Sequence, residues 1–309
     1  MARPFTLIQL RYFSVVAELE NMTAAAQRLR VTQSALSTAM TQLEASLGVQ
    51  LFRRRRGITL TAAGRQFAQD ANGFLEQADW LYESARGAEG VLAGTLHVGV
   101  YSPLAPFRLP VILQAFEAEH PGVAVSIVEA DLATLQAALL DGRCEVALTY
   151  GLGLGPGFSA HVLERVPPHV LVAAGHPAAG RPGRAVSLRE LAAEPAVALD
   201  VRHSREYYES LYAMVGVSPN IRHRFSGYET VRSFVASGHG YAVLNQRLHS
   251  DVTYSGGRVV ALRITEELPP IEVMLVRPDG VRPTRRALAF EETCKLVYGA
   301  DGAGASSMY

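Results

Sequence analysis

The sequence predicts an α/β protein in three parts: an all-α-rich N-terminal winged helix-turn-helix, a long linker helix and a C-terminal α/β domain. Three observations predict it. Charge is segregated: residues 1–65 carry nine arginines against three acids, a net of +6, and the remainder carries −6, so a formally neutral chain is a basic head on an acidic body. Within the head, two short amphipathic runs meet across a tight turn and lead into an arginine-tipped hairpin. From residue 94 onward, strand-like and helix-like runs alternate. The length of 309 residues fits two domains and a connector. Hydrophobic residues at 49% and charged residues at 19% exclude a disordered chain. Two cysteines cannot form a disulfide scaffold and point to a reducing compartment. The N-terminal residues lack the apolar core of a signal peptide, and nowhere do 18 apolar residues run unbroken, so a cytoplasmic protein with no membrane partner is expected.

In the head, Leu7, Leu10, Phe13 and Ala17 recur at helical spacing. A second short helix carries Ala25, Ala26 and Leu29 and is expected to start from Thr23 as its N-cap. Thr32 is positioned to cap a third helix with the apolar stripe Leu36, Met40, Leu43 and Leu47, which Gly48 stops. At 100° per residue, Ser34, Ser37, Thr38 and Thr41 fall opposite that stripe. Short polar side chains on the free face suit a helix that enters a DNA major groove about 12 Å wide. The hairpin that follows places Arg53, Arg54, Arg55 and Arg56 before Gly57, with Ile58 and Leu60 alternating with Thr59 and Thr61. Four adjacent guanidiniums repel one another unless a polyanion lies nearby, which marks a phosphate-gripping wing. The chain has 28 arginines and one lysine, Lys295, so the clustering and not the choice of Arg is informative.

Residues 5–65, with Leu10-Arg11-Tyr12-Phe13, Thr23-Ala24-Ala25-Ala26-Gln27-Arg28-Leu29, Val31-Thr32-Gln33-Ser34-Ala35-Leu36-Ser37, Gln42-Leu43-Glu44, Leu47-Gly48-Val49-Gln50-Leu51-Phe52-Arg53 and Leu60-Thr61-Ala62-Ala63-Gly64, resemble the LysR-type transcriptional regulators without a gap. Two positions depart from that family's pattern: residue 34 is Ser where Pro is common, and residue 38 is Thr where Arg is common. No Arg or Lys lies between Gln33 and Leu47, so bidentate guanine reading from this helix is excluded. Specificity is therefore expected from Gln33, Ser34, Ser37, Thr38 and Thr41, beside Thr32, with the wing arginines reading groove shape.

From Thr61 to about Gly90 there is no Pro, and Phe67, Ala71, Phe74, Ala78, Leu81, Ala85 and Ala88 form a heptad seam. A helix of about 28 residues reaches about 42 Å, too long for one small domain, so its stripe is expected to meet a partner chain. The resemblance implies that this segment dimerises the heads, which sets two recognition helices about 34 Å apart on an inverted-repeat duplex.

In the body, strands are expected at Gly94–Tyr101, Val123–Val128, Val146–Tyr150, His169–Ala173, Ala196–Asp200, Asn220–Phe225 and Gly240–Leu244. Helices are expected around Val111–Phe116, at Leu132–Leu140, Ser187–Ala193, Arg205–Val215 and Tyr228–Gly238. The alternation indicates a doubly wound layer with a parallel sheet. The resemblance implies a two-lobed, periplasmic-binding-protein-like effector domain: lobe I at 91–167 plus 263–300, lobe II at 168–262, after a head at 1–65 and a linker at 66–90. Residues 301–309 are expected to be a disordered tail. In such sheets ligands lie beyond the carboxyl ends of strands. That rule selects Ser102 with Pro103, Asp131, Tyr150, Arg202 with His203 and Ser204, and Ser226 with Tyr228. The family commonly holds effector carboxylates with a hydroxyl at the place of Ser102, whereas Asp131 stands where it has Thr, Ser or Asn. An effector with both an acidic and an amine or hydroxyl group is expected, Arg202 balancing Asp131.

Other signals carry no chemistry. Gly151-Leu152-Gly153-Leu154-Gly155-Pro156-Gly157 lacks dinucleotide-loop spacing and is read as a mobile loop. The nine histidines show no metal-ligand spacing with acidic or cysteine neighbours, and no GxSxG elbow occurs, so no catalytic site, metal or cofactor is expected. Cys144 and Cys294 are read as buried, unreactive thiols. The expected function is an effector-modulated, sequence-specific DNA-binding transcription regulator. Its partners are double-stranded DNA, a small-molecule effector and itself, as a dimer and, by family, a tetramer, with RNA polymerase a further partner. An architectural DNA binder that ignores small molecules and a metabolic enzyme with an appended head are the alternatives.

Overall fold

The computed structural model describes residues 5–53, 58–85, 92–201 and 203–301. The head opens with α1 (Leu7–Leu19), whose N-cap Thr6 forms a reciprocal capping box with Gln9. Then come α2 (Met22–Leu29) and α3 (Gln33–Leu47). The cap of α2 is Asn21 and not Thr23: its side-chain carbonyl accepts from Thr23 N at 3.0 Å and Ala24 N at 3.1 Å, starting the helix two residues early. Thr32 caps α3 as expected, and Gly48, at φ 69°, ends it. Strands β1 (Phe52–Arg53) and β2 (Thr59–Leu60) pair antiparallel as the base of the wing. Leu10, Phe13, Leu36, Met40 and Leu43, all at most 2% exposed, fill one core.

The linker α4 (Ala62–Ala85) departs from the expected single seam. Ala71 is buried in the head's own core beside Ala68 and Leu75, and the Phe67 ring packs 5.0 Å from that of Phe13. Its early turns are thus used within one chain, because the head's helices leave a groove that α4 fills. Phe74 (49%) and Leu81 (64%) remain exposed further along. Ala88 lies outside the described residues.

The body begins with β3 (Gly94–Tyr101), α5 (Ala105–Glu119), β4 (Val123–Ala130), α6 (Leu132–Leu140), β5 (Val146–Tyr150) and β6 (Phe158–Val166). It continues with β7 (His169–Ala173), β8 (Ala185–Val186), α7 (Leu188–Leu191), β9 (Pro195–Leu199), α8 (Ser204–Met214), β10 (Asn220–Phe225), α9 (Tyr228–Ala236), β11 (Ala242–Leu244) and β12 (Val259–Ile264). It closes with β13 (Ile271–Pro278) and α10 (Arg285–Asp301). One five-stranded sheet has the order β4-β3-β5-β13-β6, a four-stranded sheet β11-β7-β12-β8, and β9 pairs with β10.

The expectation of a parallel sheet holds for β4-β3-β5, β9-β10 and the short pair β8-β12. Strand β13 returns antiparallel to β5 and β6, and β7 runs antiparallel to both β11 and β12. The chain re-enters the first sheet from the second, so its direction there is set by the return crossing and not by a helix crossover. Asp301 still belongs to α10, and residues 302–309 lie outside the described residues.

At Gly64 the start of α4 passes against the wing: a Cβ there would stand 2.1 Å from the carbonyl oxygen of Leu51. Alanine is worth up to about 1 kcal/mol over glycine in a helix, but overpacking against fixed backbone costs about 1–3 kcal/mol. Gly64→Ala is expected to lower stability by about 1–2 kcal/mol in urea unfolding; an unchanged or raised midpoint would contradict the contact.

Candidate functional site

In the head, α3 presents Thr32, Gln33, Ser34, Thr38 and Thr41 exposed and Ser37 half-buried, opposite the buried Leu36, Met40 and Leu43. Part of this polar face is already engaged. Thr32 caps Ala35 N at 3.2 Å and lies 3.1 Å from the Ser34 hydroxyl, Thr23 donates to Gln33 Oε1 at 3.4 Å, and Thr41 donates to the Ser37 carbonyl at 3.0 Å. The head's three carboxylates are engaged as well. Glu44 accepts from Leu51 N at 2.8 Å and Phe52 N at 3.0 Å, fixing the wing to α3. Glu20 accepts from Leu60 N at 3.3 Å, and Glu18 pairs with Arg28 at 2.6 Å. Arg53 is exposed at the end of β1; Arg54, Arg55 and Arg56 lie outside the described residues.

In the body, the ends of β3, β4 and β5 bring Ser102, Pro103, Asp131 and Tyr150 to one edge of the first sheet, where Ser102 N donates to the Ala130 carbonyl at 3.1 Å. Asp131 caps α6, its carboxylate accepting from Thr134 N at 2.8 Å. The rings of Tyr101 and Tyr150 meet edge-on at 5.6 Å. Burial raises the Tyr101 pKa, a hydrogen bond from the Ser204 side chain opposes that rise, and the Asp131 charge adds to it. These groups therefore share one locality. His203, at φ 70°, sets its ring against Gly153, where an added Cβ would meet Nδ1 at 2.7 Å.

From the second sheet, Gln246 donates to the Tyr150 hydroxyl at 3.0 Å and accepts from the Tyr228 hydroxyl through its backbone carbonyl. The Tyr228 ring in turn meets Phe107 at 5.0 Å. Burial raises the pKa of Tyr150, Tyr207, Tyr208 and Tyr228, so this wall consists of neutral phenols that both donate and accept. Ser226 is exposed just beyond β10, and Arg202 lies outside the described residues. Tyr101, Tyr207, Tyr208, Asn245 and Gln246 escaped the strand-end rule. The polar pair Asn245-Gln246, placed directly after the apolar Tyr241–Leu244, was the available signal.

Residues 7–65 match the family model described as a bacterial regulatory helix-turn-helix protein of the lysR family, and residues 89–297 match the LysR substrate binding domain. The chain belongs to the LysR family. It is a transcriptional regulator with a helix-turn-helix DNA-binding head and an effector-binding domain. A probable hydrogen peroxide-inducible genes activator of Mycobacterium xenopi is 36% identical over 183 residues, 57% of this chain and 94% of that protein. The crystal structure of HinK, a LysR family regulator of Pseudomonas aeruginosa, matches at 33% identity with a TM-score of 0.66, covering 96% of this chain and 99% of HinK. Full-length CbnR complexed with its target DNA matches at 25% identity with a TM-score of 0.57, covering 94% and 99%.

Within this LysR regulator both cysteines are buried, Cys144 at 1% and Cys294 at 0% exposure, and burial pushes their thiols up to about 11 and about 12. Neither supplies a thiolate near neutral pH. Among the described residues, no three His, Cys, Asp or Glu side chains gather to hold a metal ion, and no helix is long and apolar enough to cross a membrane.

His169, 1% exposed at the start of β7, is pulled down to about 3, first by burial and then by the Arg247 charge. Because the folded value lies below the ordinary 6.5, the unfolded chain takes the proton first as pH falls. Stability from this group is complete above about pH 6.5 and declines below it by up to about 1.4 kcal/mol per pH unit. Urea unfolding at pH 7 and pH 5 is expected to differ by about 2 kcal/mol more in the native chain than in His169→Gln. Equal differences would show that His169 titrates normally.

Proposed function

We propose that this LysR regulator reads an operator through Thr32, Gln33, Ser34, Ser37, Thr38 and Thr41, and grips phosphates through Arg53, Arg54, Arg55 and Arg56. Its effector lies between a lobe I of residues 91–167 plus 263–300 and a lobe II of 168–262. The single observation that supports the cleft is the meeting of Tyr150, from the first sheet, with Gln246, from the second, at the edge that also holds Ser102 and Asp131. Ser102, Pro103, His203, Ser204, Ser226 and Tyr228 are assigned to it, and Arg202 is proposed as the counter-charge to Asp131. Asp131 supplies negative charge and Ser102 a hydroxyl, which favours an effector carrying both an acidic and an amine or hydroxyl group. The effector is bound and released unchanged, so the protein is not an enzyme. The exposed Phe74 and Leu81 support dimerisation through residues 66–90 and a dimer of dimers on an inverted repeat. Cytoplasmic location and contact with RNA polymerase complete the reading. The buried thiols do not favour a cysteine-based response to an oxidant in this chain.

Two outcomes test this. In operator binding, Gln33→Ala with Ser37→Ala is expected to reduce discrimination against random DNA by about 1–3 kcal/mol, while alanine at Arg53–Arg56 weakens all sequences alike and flattens the salt dependence. Unchanged discrimination would remove α3 from base reading. In a thermal-shift screen of metabolites, Asp131→Asn keeps the helix cap and is expected to weaken an amine-bearing effector about 10-fold to 100-fold, the range of a charged hydrogen bond. An effector bound equally by Asp131→Asn and the native chain would exclude a role for the carboxylate.

A further inference from the structure

The body holds a groove of about 980 Å³ where the chain crosses between the two sheets, walled by α5, β6, residues 166–168, Asn245–Arg247, the end of β12 and α10. None of the residues expected to hold the effector lines it. Much of the wall is apolar: Val111, Ile112, Val162, Leu163, Leu268 and Val297.

The charges around it are unequally matched. Arg108 is clamped by Glu164 at 2.9 and 3.0 Å, and Arg165 pairs with Glu272 at 3.0 Å. Arg247 is half-buried in the groove wall, and among the described residues no carboxylate pairs with it. Burial lowers its pKa below the usual arginine value, and its charge helps keep His169 neutral. A partly desolvated guanidinium without a counter-charge is a standing demand for an anion.

Beside it lie two further unmet groups. Asn245 and Gln246 are each 3% exposed. Asn245 donates to the Val166 carbonyl at 2.8 Å and to the Tyr207 hydroxyl at 2.9 Å, and a carbonyl can only accept, which fixes the amide's orientation. Asn245 Oδ1 and Gln246 Oε1 then receive no hydrogen bond from any described residue. Buried acceptors of this kind are nearly always satisfied in folded proteins.

We infer that this groove is a second ligand site, separate from the proposed effector cleft, for a small organic anion with an apolar body and an N–H or O–H donor. The anionic group meets Arg247 and the body covers the apolar wall, while the donor reaches the amide carbonyls of Asn245 and Gln246 as these buried side chains turn toward the groove. Gln246 also holds Tyr150 and Tyr228, so an occupant here touches the residue that joins the two sheets at the cleft.

The test uses the full chain and 8-anilinonaphthalene-1-sulfonate, which carries a sulfonate, an apolar ring system and one N–H. Its fluorescence is expected to rise with saturable binding of one molecule per chain. Arg247→Gln is expected to weaken that binding at least 10-fold, Arg247→Lys to restore part of it, Leu163→Trp to block it by filling the groove, and Asp131→Asn to leave it unchanged. The inference is overturned if the native chain shows no saturable site, if Arg247→Gln binds as tightly as native, or if Asp131→Asn abolishes binding. Loss of binding as the chain self-associates would also overturn it, since a second copy would then cover the groove. Should Arg247→Gln fail to fold by circular dichroism, a crystal of the native chain soaked with the probe decides: density beside Arg247 supports the site, and density only elsewhere refutes it.

Discussion

The body depends on two adjoining sets of hydrogen bonds at its waist, joined through the Asn245–Gln246 backbone. The main chain leaves the first sheet at Val166 and returns to it at Ile271, and backbone carbonyls at these crossings need partners beyond the ladders. Asn245 donates to the carbonyl of Val166 at 2.8 Å on the outward crossing, and Tyr207 donates to the carbonyl of Pro269 at 3.0 Å on the return. Asn245 and Tyr207 also bond to each other at 2.9 Å, so the two crossings are tied through a single pair of side chains. The neighbouring Gln246 forms the second set, to Tyr150 and Tyr228. Each link is worth about 1 kcal/mol net, but leaving one partner buried and unmet costs about 1–3 kcal/mol, so these links shift between arrangements more readily than they break. A ligand touching Tyr150 or Tyr228 therefore acts on the element that sets the angle between the sheets.

The same logic of satisfied polar groups explains why the head is basic in effect as well as in formal charge. Its carboxylates Glu20 and Glu44 are engaged by backbone N–H groups of the wing base, and Glu18 is engaged by Arg28. Glu20 and Glu44 thereby build the wing base, and Arg11, Arg28, Arg30 and Arg53 are exposed. A wing base held at both strands stands in a fixed relation to α3, and fixed geometry lets phosphate contacts position a polar face over the bases. Arg65 contacts Asp141 at 3.2 Å, a tie between the base of the head and α6.

Legibility in the sequence followed the range of the forces involved. The helices α3 and α6 and the strands β3, β5, β7 and β10 were readable at or near their ends, because caps such as Thr32 and Gly48 and alternating apolar runs are local signals. The cap of α2 was misread because Thr23 and Asn21 are both competent, and only the hydrogen bonds from Thr23 N and Ala24 N decide between them. The antiparallel return of β13 was not readable, because direction within a sheet is set by pairing with β5 and β6 more than 100 residues upstream. The α4 stripe showed its period but not its partner, and a heptad looks the same whether it faces its own domain or another chain. At the proposed cleft, strand ends point to Ser102, Asp131 and Tyr150, yet Gln246, which joins Tyr150 to the second sheet, follows an otherwise unremarkable apolar strand.

These features limit how an effector can act on DNA binding. A small molecule shifts a conformational equilibrium only by its difference in affinity for the two states. That difference must arise where the states differ, and among the described residues the contacts between the sheets include Gln246 to Tyr150, Phe107 to Tyr228 and Ser204 to Tyr101. A coupling of about 1–3 kcal/mol corresponds to a 5-fold to 150-fold change in affinity, which one or two such contacts can supply. The heads need not deform. Because α4 is packed into the core of its own head through Ala68, Ala71 and Leu75, the head and the first turns of the linker move as one body. In the proposed dimer a change in the angle between the sheets then becomes a change in the spacing of two rigid reading heads, and an inverted repeat of fixed half-site spacing discriminates between those spacings.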